Sequence, residues 1–330
     1  MALQRQTIGS LTEPTLQDVF RARRTLAGIL RPTPLLRHPL LVAETGLDIR
    51  VKHENHNPTC AFKVRGGLNL IGSLGQDERA RGVVTATTGN HGQSIALACQ
   101  RESVPCTILV PFGNNAEKNA AMQAYGATLI EHGRDFDEAR ERAEAIKAEF
   151  GLRYVHSANE PLLIAGVGTY ALEIFEDLPD VDVVFVPIGG GSGACGLVTV
   201  RTGLKSRARI IGVQAQQADA FTRSWRGPDR VVGERAATFA EGMATRVTFD
   251  LTFGLLKRQL DDIVTLTEEE LAEGVRLALR CTHNLAEGAG AAPIMAAAKM
   301  RSQLAGKRVV CVMSGGNIDT VTLRRILAGA

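Results

Sequence analysis

The sequence lacks the features that mark several functional classes. No apolar run is long enough to span a bilayer. The N-terminal "MALQRQTIGSLTEPTLQ" has no apolar segment of the signal-peptide kind, so the expectation is a cytoplasmic protein with no membrane partner. An excess of one charge is also missing. Lys and Arg number 38 against 35 Asp and Glu, a formal net charge of +3. The basic residues are scattered and form no stripe of the sort nucleic acid requires. Cysteine is sparse and dispersed: Cys60, Cys99, Cys106, Cys195, Cys281 and Cys311 include no C-x-x-C pair. They read as reduced, mostly buried small residues, not as a disulfide framework or a zinc site. Internal repeats and low-complexity linkers are absent. With 45% hydrophobic and 22% charged residues over 330 positions, what remains is a globular chain with a large core, in one large domain or two moderate ones.

What is present is a recurring unit: a short β-run, a glycine-rich turn, then an apolar-periodic helix. It occurs in "GVVTATTGNHGQSIALACQ" (82–100), "VDVVFVPIGGGSGACGLVTVRTGL" (181–204) and "RVVCVMSGGNIDTVTLRRIL" (308–327). Continuous Val/Ile runs predict strands buried on both faces, hence parallel sheets covered by helices in an α/β fold. "TILVP" (107–111) and "RIIGVQ" (209–214) predict further buried strands. Residues 135–150 predict an amphipathic helix, and 267–281 another that opens with a capping box from Thr267 to Glu270. Each glycine turn leads directly into a helix whose first amides lack intrahelical partners. Ligands of open α/β sheets bind at such strand ends, so these turns predict one shared crevice.

The richest turn is "GGGSGACG", Gly189 to Gly196. Residues without side chains admit a ligand close to the backbone, and successive amides at a helix start attract an anion, commonly phosphate. The same stretch holds a formal G-x-G-x-x-G in Gly191, Gly193 and Gly196, which keeps a nicotinamide-dependent oxidoreductase open. That reading requires an acid about 20 positions onward. The chain has Gln214 or Gln216 there, and Asp219 comes late. No Gly-Lys-Ser/Thr follows, so a Walker loop is excluded.

"NPTCAFKVRGG" (57–67) frames Lys63 between a proline-led turn and a glycine pair, on a helix predicted to start near Thr59. Burial or nearby positive groups lower a lysine pKa and free its amine. A free amine condenses with an aldehyde, and pyridoxal phosphate supplies both an aldehyde and a phosphate. The alternative is that Lys63 and Arg65 form a solvated helix face.

In order and spacing, "NPTCAFKVRGG", "TTGNHGQS", "GGGSG" and "MSGGN" resemble the fold type II pyridoxal-phosphate enzymes. The nearest likeness is to the serine/threonine dehydratase branch, which includes serine racemases. The resemblance runs from "RPTPLL" (31–36) to "SGGN". It implies two open, twisted, parallel-sheet α/β domains of the tryptophan synthase β type. Residues 1–81 and 159–330 would form the larger, cofactor-binding domain, and 82–158 a smaller mobile one that closes over substrate.

By the same resemblance Lys63 is the Schiff-base lysine and the base for the α-proton, and Phe62 flanks the cofactor. Asn90 bonds the ring hydroxyl. Thr87, Thr88, Gly89 and His91 belong to the loop that grips the substrate carboxylate. Gly189, Gly190, Gly191, Ser192 and Gly193 hold the phosphate, and Ser314 faces the pyridine nitrogen. A hydroxyl there need not keep a proton on the ring, which makes a milder electron sink and suits elimination. Thr88 is also a candidate acid for the departing hydroxyl. For Thr88, Asn90 and His91, plain turn or packing roles stay open.

The implied activity is that of a carbon–nitrogen lyase, an ammonia-lyase (dehydratase) acting on an L-β-hydroxy amino acid. Threonine and serine are the default substrates; 3-phenylserine and 3-hydroxyaspartate stay open. A racemase, a β-replacement synthase and a non-catalytic amino-acid sensor are alternatives on the same scaffold. The sequence departs from the pattern at Cys60 and Ala61, where small polar residues are usual, and at Ser192, where a fourth glycine is usual. Some relatives hold a divalent cation through acidic residues where this chain has Gln214 and Ala220. Hard cations require carboxylate oxygens, so no metal is expected there. The chain ends at "LRRILAGA", so no C-terminal regulatory domain is expected. A homodimer is the family expectation.

Overall fold

Val/Ile-rich runs become strands because β-branched side chains pack well on a pleated surface. In the computed structural model, which describes residues 7–8 and 11–329, they build two main sheets. The larger has six strands, in the order Asp262–Leu266, Arg209–Ala215, Val183–Pro187, Arg308–Met313, Asp48–His53 and Leu35–Leu36. Neighbours are parallel except at one edge, where Leu35 and Leu36 run antiparallel to Lys52 and Val51. The smaller sheet has four parallel strands, Thr128–Glu131, Cys106–Val110, Val83–Ala86 and Arg153–Tyr154. Its strands all come from residues 83–154. A short antiparallel ribbon pairs Thr7–Ile8 with Leu11–Thr12.

Both faces of the larger sheet are covered. Val184, Val186, Val310 and Val312 enter one apolar core, while Val183, Phe185, Val309 and Cys311 enter another. This two-residue alternation between cores is what a strand buried on both sides requires. A third core, with Val84, Leu109, Ala143 and Tyr154, lies against the small sheet. Helix Phe136–Phe150 is capped by Asp135, whose Oδ1 accepts from Glu138 N at 3.0 Å. The capping box at Thr267 and Glu270 is present, with bonds of 3.2 and 2.9 Å.

Two local expectations are corrected. The helix bearing Lys63 starts at Lys63 itself (Lys63–Gly72), not near Thr59. Cys60 is left-handed (φ 52°), and its amide closes a turn onto Asn57 O at 2.7 Å. Phe62 N then bonds Ser314 O at 3.0 Å, and Ala61 bridges to Gly315. Residues 57–62 are thus committed to a turn and a bridge before the helix can begin. The third glycine turn does not lead directly into a helix either. Residues 314–319 intervene, and the helix Thr320–Ala328 starts only where Asp319 Oδ1 caps Thr322 N at 2.8 Å. Five cysteines are buried, Cys60 is exposed, and none is bonded to another. No helix among the described residues is long and apolar enough to cross a membrane.

Candidate active site

The glycine pair after Lys63 sets the position of its helix. A Cβ at Gly66 would stand 2.7 Å from Leu163 Cγ, and one at Gly67 would overlap Ser94. Without side chains at these two positions, the helix packs directly on its neighbours Pro161–Val167 and Asn90–Glu102. Ser94 Oγ then donates to Lys63 O at 2.6 Å, tying the lysine to the start of the second neighbour. A further anchor lies beneath. Arg65, which the alternative reading placed on a solvated face, is buried. Its guanidinium binds Glu54 at 2.7 and 2.9 Å and Glu173 at 2.6 and 2.9 Å. A bidentate carboxylate partner is what makes burial of an arginine tolerable.

Lys63 opens into a cleft of about 940 Å³, counting the part open to solvent. The 87–91 turn, the 189–193 turn, Phe62 and Ser314 line the same cleft. The lysine Nζ donates to Ser192 Oγ at 2.8 Å and to Ser157 O at 2.9 Å. Neither partner is charged, and burial pulls its pKa down to about 8.

The 189–193 turn lines this cleft, and side chains hold two of its carbonyls. Thr252 Oγ1 donates to Gly190 O at 2.7 Å, and Tyr170 OH to Gly193 O at 2.9 Å. Gly191 has a left-handed backbone (φ 90°) and caps the helix Ser192–Gly203. A Cβ at Gly193 would press on the Phe62 ring at 3.4 Å. In the 87–91 turn, Thr87 Oγ1 accepts from Gly89 N and Gly92 N at 3.0 and 3.3 Å. The amides of Asn90 and His91, first in their helix, have no intrahelical partner.

The His91 imidazole is turned into the protein. Its Nε2 lies 2.9 Å from Thr85 Oγ1, whose own hydrogen goes to Val155 O at 2.7 Å. The hydroxyl therefore accepts, and Nε2 carries the ring proton. Burial, then Lys63, hold this histidine near pKa 3, so the ring stays neutral. Ser314 is buried, and its carbonyl bonds Phe62 N.

Sequence reasoning missed several polar groups of the cleft. Lys118 donates to Glu241 at 2.5 Å, and both line it. Asn90 Nδ2 donates to Glu287 Oε1 at 2.7 Å, and Asn317 Nδ2 donates to Asn90 Oδ1 at 2.8 Å. Asn317 stood in the "SGGN" motif, but Lys118, Glu241 and Glu287 sit in ordinary helical or loop composition. Gln214 lies outside the cleft. Its Oε1 accepts from Thr222 N and Oγ1 at 2.8 and 2.7 Å, and its Nε2 donates to Ala218 O at 3.2 Å. A carboxamide so engaged offers nothing to a ribose.

The sequence matches the family described as "Pyridoxal-phosphate dependent enzyme" over residues 26–315. The chain belongs to that family. This enzyme is 41% identical over 315 residues to an L-threonine ammonia-lyase of Thermotoga maritima, covering 95% of this chain and 78% of that one. It is 30% identical over 316 residues to an L-threo-3-hydroxyaspartate ammonia-lyase of Saccharomyces cerevisiae, covering 96% and 97%. Its structure resembles that of maize serine racemase with a TM-score of 0.89 at 25% identity, covering 96% and 97%. The cleft suits pyridoxal phosphate on its own chemistry. It combines an amine of lowered pKa, a glycine turn at the start of a helix, and an aromatic ring (Phe62) beside the lysine.

Proposed function

We propose that the enzyme eliminates water from an L-β-hydroxy amino acid, and that hydrolysis of the resulting enamine, which takes one water back up, leaves a 2-oxo acid and ammonia. One observation carries the reading: Lys63 stands in a low-polarity position where glycine turns from both sheets meet, with its ammonium held only by neutral oxygens. Ammonia-lyase activity in the relatives' names supports it. Pyridoxal phosphate supplies an aldehyde and an electron sink that acidifies the α-hydrogen of a bound amino acid.

The roles of the chain's own groups follow from their chemistry. Amides of residues 189–193 and Ser192 Oγ hold the phosphate. Phe62 and Ser314 are assigned to the ring, with Ser314 at its nitrogen and Asn90 at its hydroxyl. The turn of Thr87, Thr88 and Gly89 and the amides of Asn90 and His91 bind the substrate carboxylate. Lys63 Nζ takes the α-proton, for which a pKa near 8 is well matched. The Thr88 hydroxyl is the candidate donor to the departing hydroxyl. We take residues 82–158 as the unit that closes over substrate and exclude water by that closure.

Threonine and serine are the first substrates proposed, followed by 3-hydroxyaspartate and 3-phenylserine. Racemisation is the second reading, because Thr88 lines the cleft together with Lys63 and could serve as the other proton carrier. A panel of these amino acids, read by ammonia and 2-oxo acid release and by chiral chromatography, tests both. Inversion without ammonia would overturn the lyase reading. Loss of neither colour nor turnover in Lys63→Ala would overturn both. A cytoplasmic homodimer completes the proposal, checked by sedimentation of the holoenzyme.

A further inference from the structure

Asn90 is the one assigned cofactor ligand whose orientation the protein fixes from both ends. Asn317 Nδ2 donates to Thr59 O and to Asn90 Oδ1, each at 2.8 Å. An amide nitrogen has two hydrogens, so both are committed. A backbone carbonyl only accepts, which prevents the Asn317 amide from reversing. The Asn90 oxygen therefore faces Asn317, and its nitrogen faces Glu287 at 2.7 Å. One hydrogen of Asn90 Nδ2 goes to that carboxylate. The other has no protein partner among the described residues, and Asn90 lines the cleft.

The surroundings hold the arrangement. Glu287 is buried, and its amide donates to Gly315 O at 3.1 Å. A Cβ at Gly315 would stand 2.7 Å from Glu287 Oε1 and 3.3 Å from Asn90 Nδ2, so the glycine makes room for the pair. Burial raises the Glu287 pKa, against which Lys118 and the Asn90 bond act. In either protonation state a carboxyl oxygen remains to accept from Asn90.

We infer that Glu287 and Asn317 are positioning residues that lock the Asn90 carboxamide, so that its remaining N–H is offered to the ring oxygen of pyridoxal phosphate. The inference rests on the proposed role of Asn90. It adds that the orientation of this amide is set by a directed chain, Asn317 to Asn90 to Glu287, and not by the cofactor.

A double-mutant cycle read by pyridoxal-phosphate titration of the apoprotein tests it, with the visible absorption band of each holoenzyme as a second readout. Glu287→Met is expected to weaken cofactor binding about ten-fold and shift the band. Glu287→Gln, which keeps an acceptor oxygen, should stay within about three-fold of the parent. Asn317→Ala is the second variant and should weaken binding in the same direction. Adding Glu287→Met to Asn90→Ala should cause no further loss, because the carboxylate acts through the amide. The inference is overturned if Glu287→Met binds cofactor as the parent does, whatever its melting temperature. It is equally overturned if the losses from Asn90→Ala and Glu287→Met multiply. Parent-like cofactor binding in Asn90→Ala is a different failure, for it removes the proposed role of Asn90 and this inference with it.

Discussion

Lys63 Nζ and Ser192 Oγ lie 2.8 Å apart, joining the first residue of one helix to the first residue of another, 129 positions along the chain. The contact gives the ammonium an acceptor but no countercharge, so burial dominates and the pKa falls from 10.5 to about 8. In the apoprotein, the rate of pyridoxal-phosphate capture should therefore rise about ten-fold per pH unit up to about 8 and then level off. Ser192→Ala removes an acceptor that favours the charged amine, so its plateau should begin at lower pH. Stopped-flow absorbance decides this. A rate that keeps climbing beyond about pH 10 would mean an ordinary exposed lysine. The same shift links to apoprotein stability. Between pH 8 and 10.5 the unfolded lysine holds a proton that the folded one lacks, so this group's contribution rises with pH across that window.

Arg65 lies two residues beyond Lys63 and joins a buried set of two cations and two carboxylates. Lys52 Nζ adds to it, donating to Glu173 Oε2 at 2.6 Å and to Thr33 O at 2.7 Å. Arg65→Met leaves Glu54 fully buried without its bidentate partner. It should lower stability by about 3–5 kcal/mol, measured by urea unfolding of holoenzyme at fixed cofactor concentration. A loss below about 1 kcal/mol would place the group among weak surface pairs.

Much of the fold was legible because its determinants are local. The Val/Ile runs, the glycine turns after Ala86, Pro187 and Met313, and the capping box at Thr267 each act within a few residues. The meeting of three glycine turns in one cleft was legible too, since strand ends of open α/β sheets gather ligands. The fate of Arg65 was not. Its partners lie 11 and 108 positions away, and a basic residue near a helix start reads as solvated until those partners are known. Glu287 and Lys118 were missed for the same reason, as their bonds to Asn90 and Glu241 span 197 and 123 positions. The start of the Lys63 helix was misjudged because the bridge from Ala61 to Gly315 is a long-range contact that overrides local propensity.

His156 makes acid sensitivity measurable one proton at a time. Its Nδ1 accepts from Ala158 N at 2.9 Å and Asn159 N at 3.0 Å, holding the turn that presents Ser157 O to Lys63. Burial, then Arg140 and Lys63, lower its pKa from 6.5 to about 4. As pH falls through that window the unfolded chain takes a proton the folded one refuses, so stability declines. His156→Asn keeps an acceptor oxygen but cannot titrate. Between pH 4 and 6.5 its unfolding free energy should fall less steeply than the parent's, by about 1.4 kcal/mol per pH unit. Parallel slopes for the two proteins in urea titrations would show that His156 is already solvated.

Lys118 and Glu241 give opposite predictions for two residues of one ion pair. Lys118 is on the helix Ala116–Ala124 beside the small sheet, and Glu241 is in the turn Glu241–Met243 beside the large core. The lysine stem lies against the proposed carboxylate turn: a Cβ at Gly89 would be 2.7 Å from its Cδ and 3.5 Å from its Nζ. A substrate carboxylate bound at that turn should feel the ammonium, partly neutralised by Glu241 at 2.5 Å. Lys118→Met removes the positive charge and should raise KM about ten-fold. Glu241→Gln keeps a hydrogen-bond acceptor while removing the negative charge, so KM should fall or hold. Were the pair only a strut across the cleft, loss of either partner would loosen closure and both variants would raise KM. Steady-state kinetics at low salt, with cofactor saturation checked by absorbance, separates a field acting on the substrate from a strut between the two sides of the cleft.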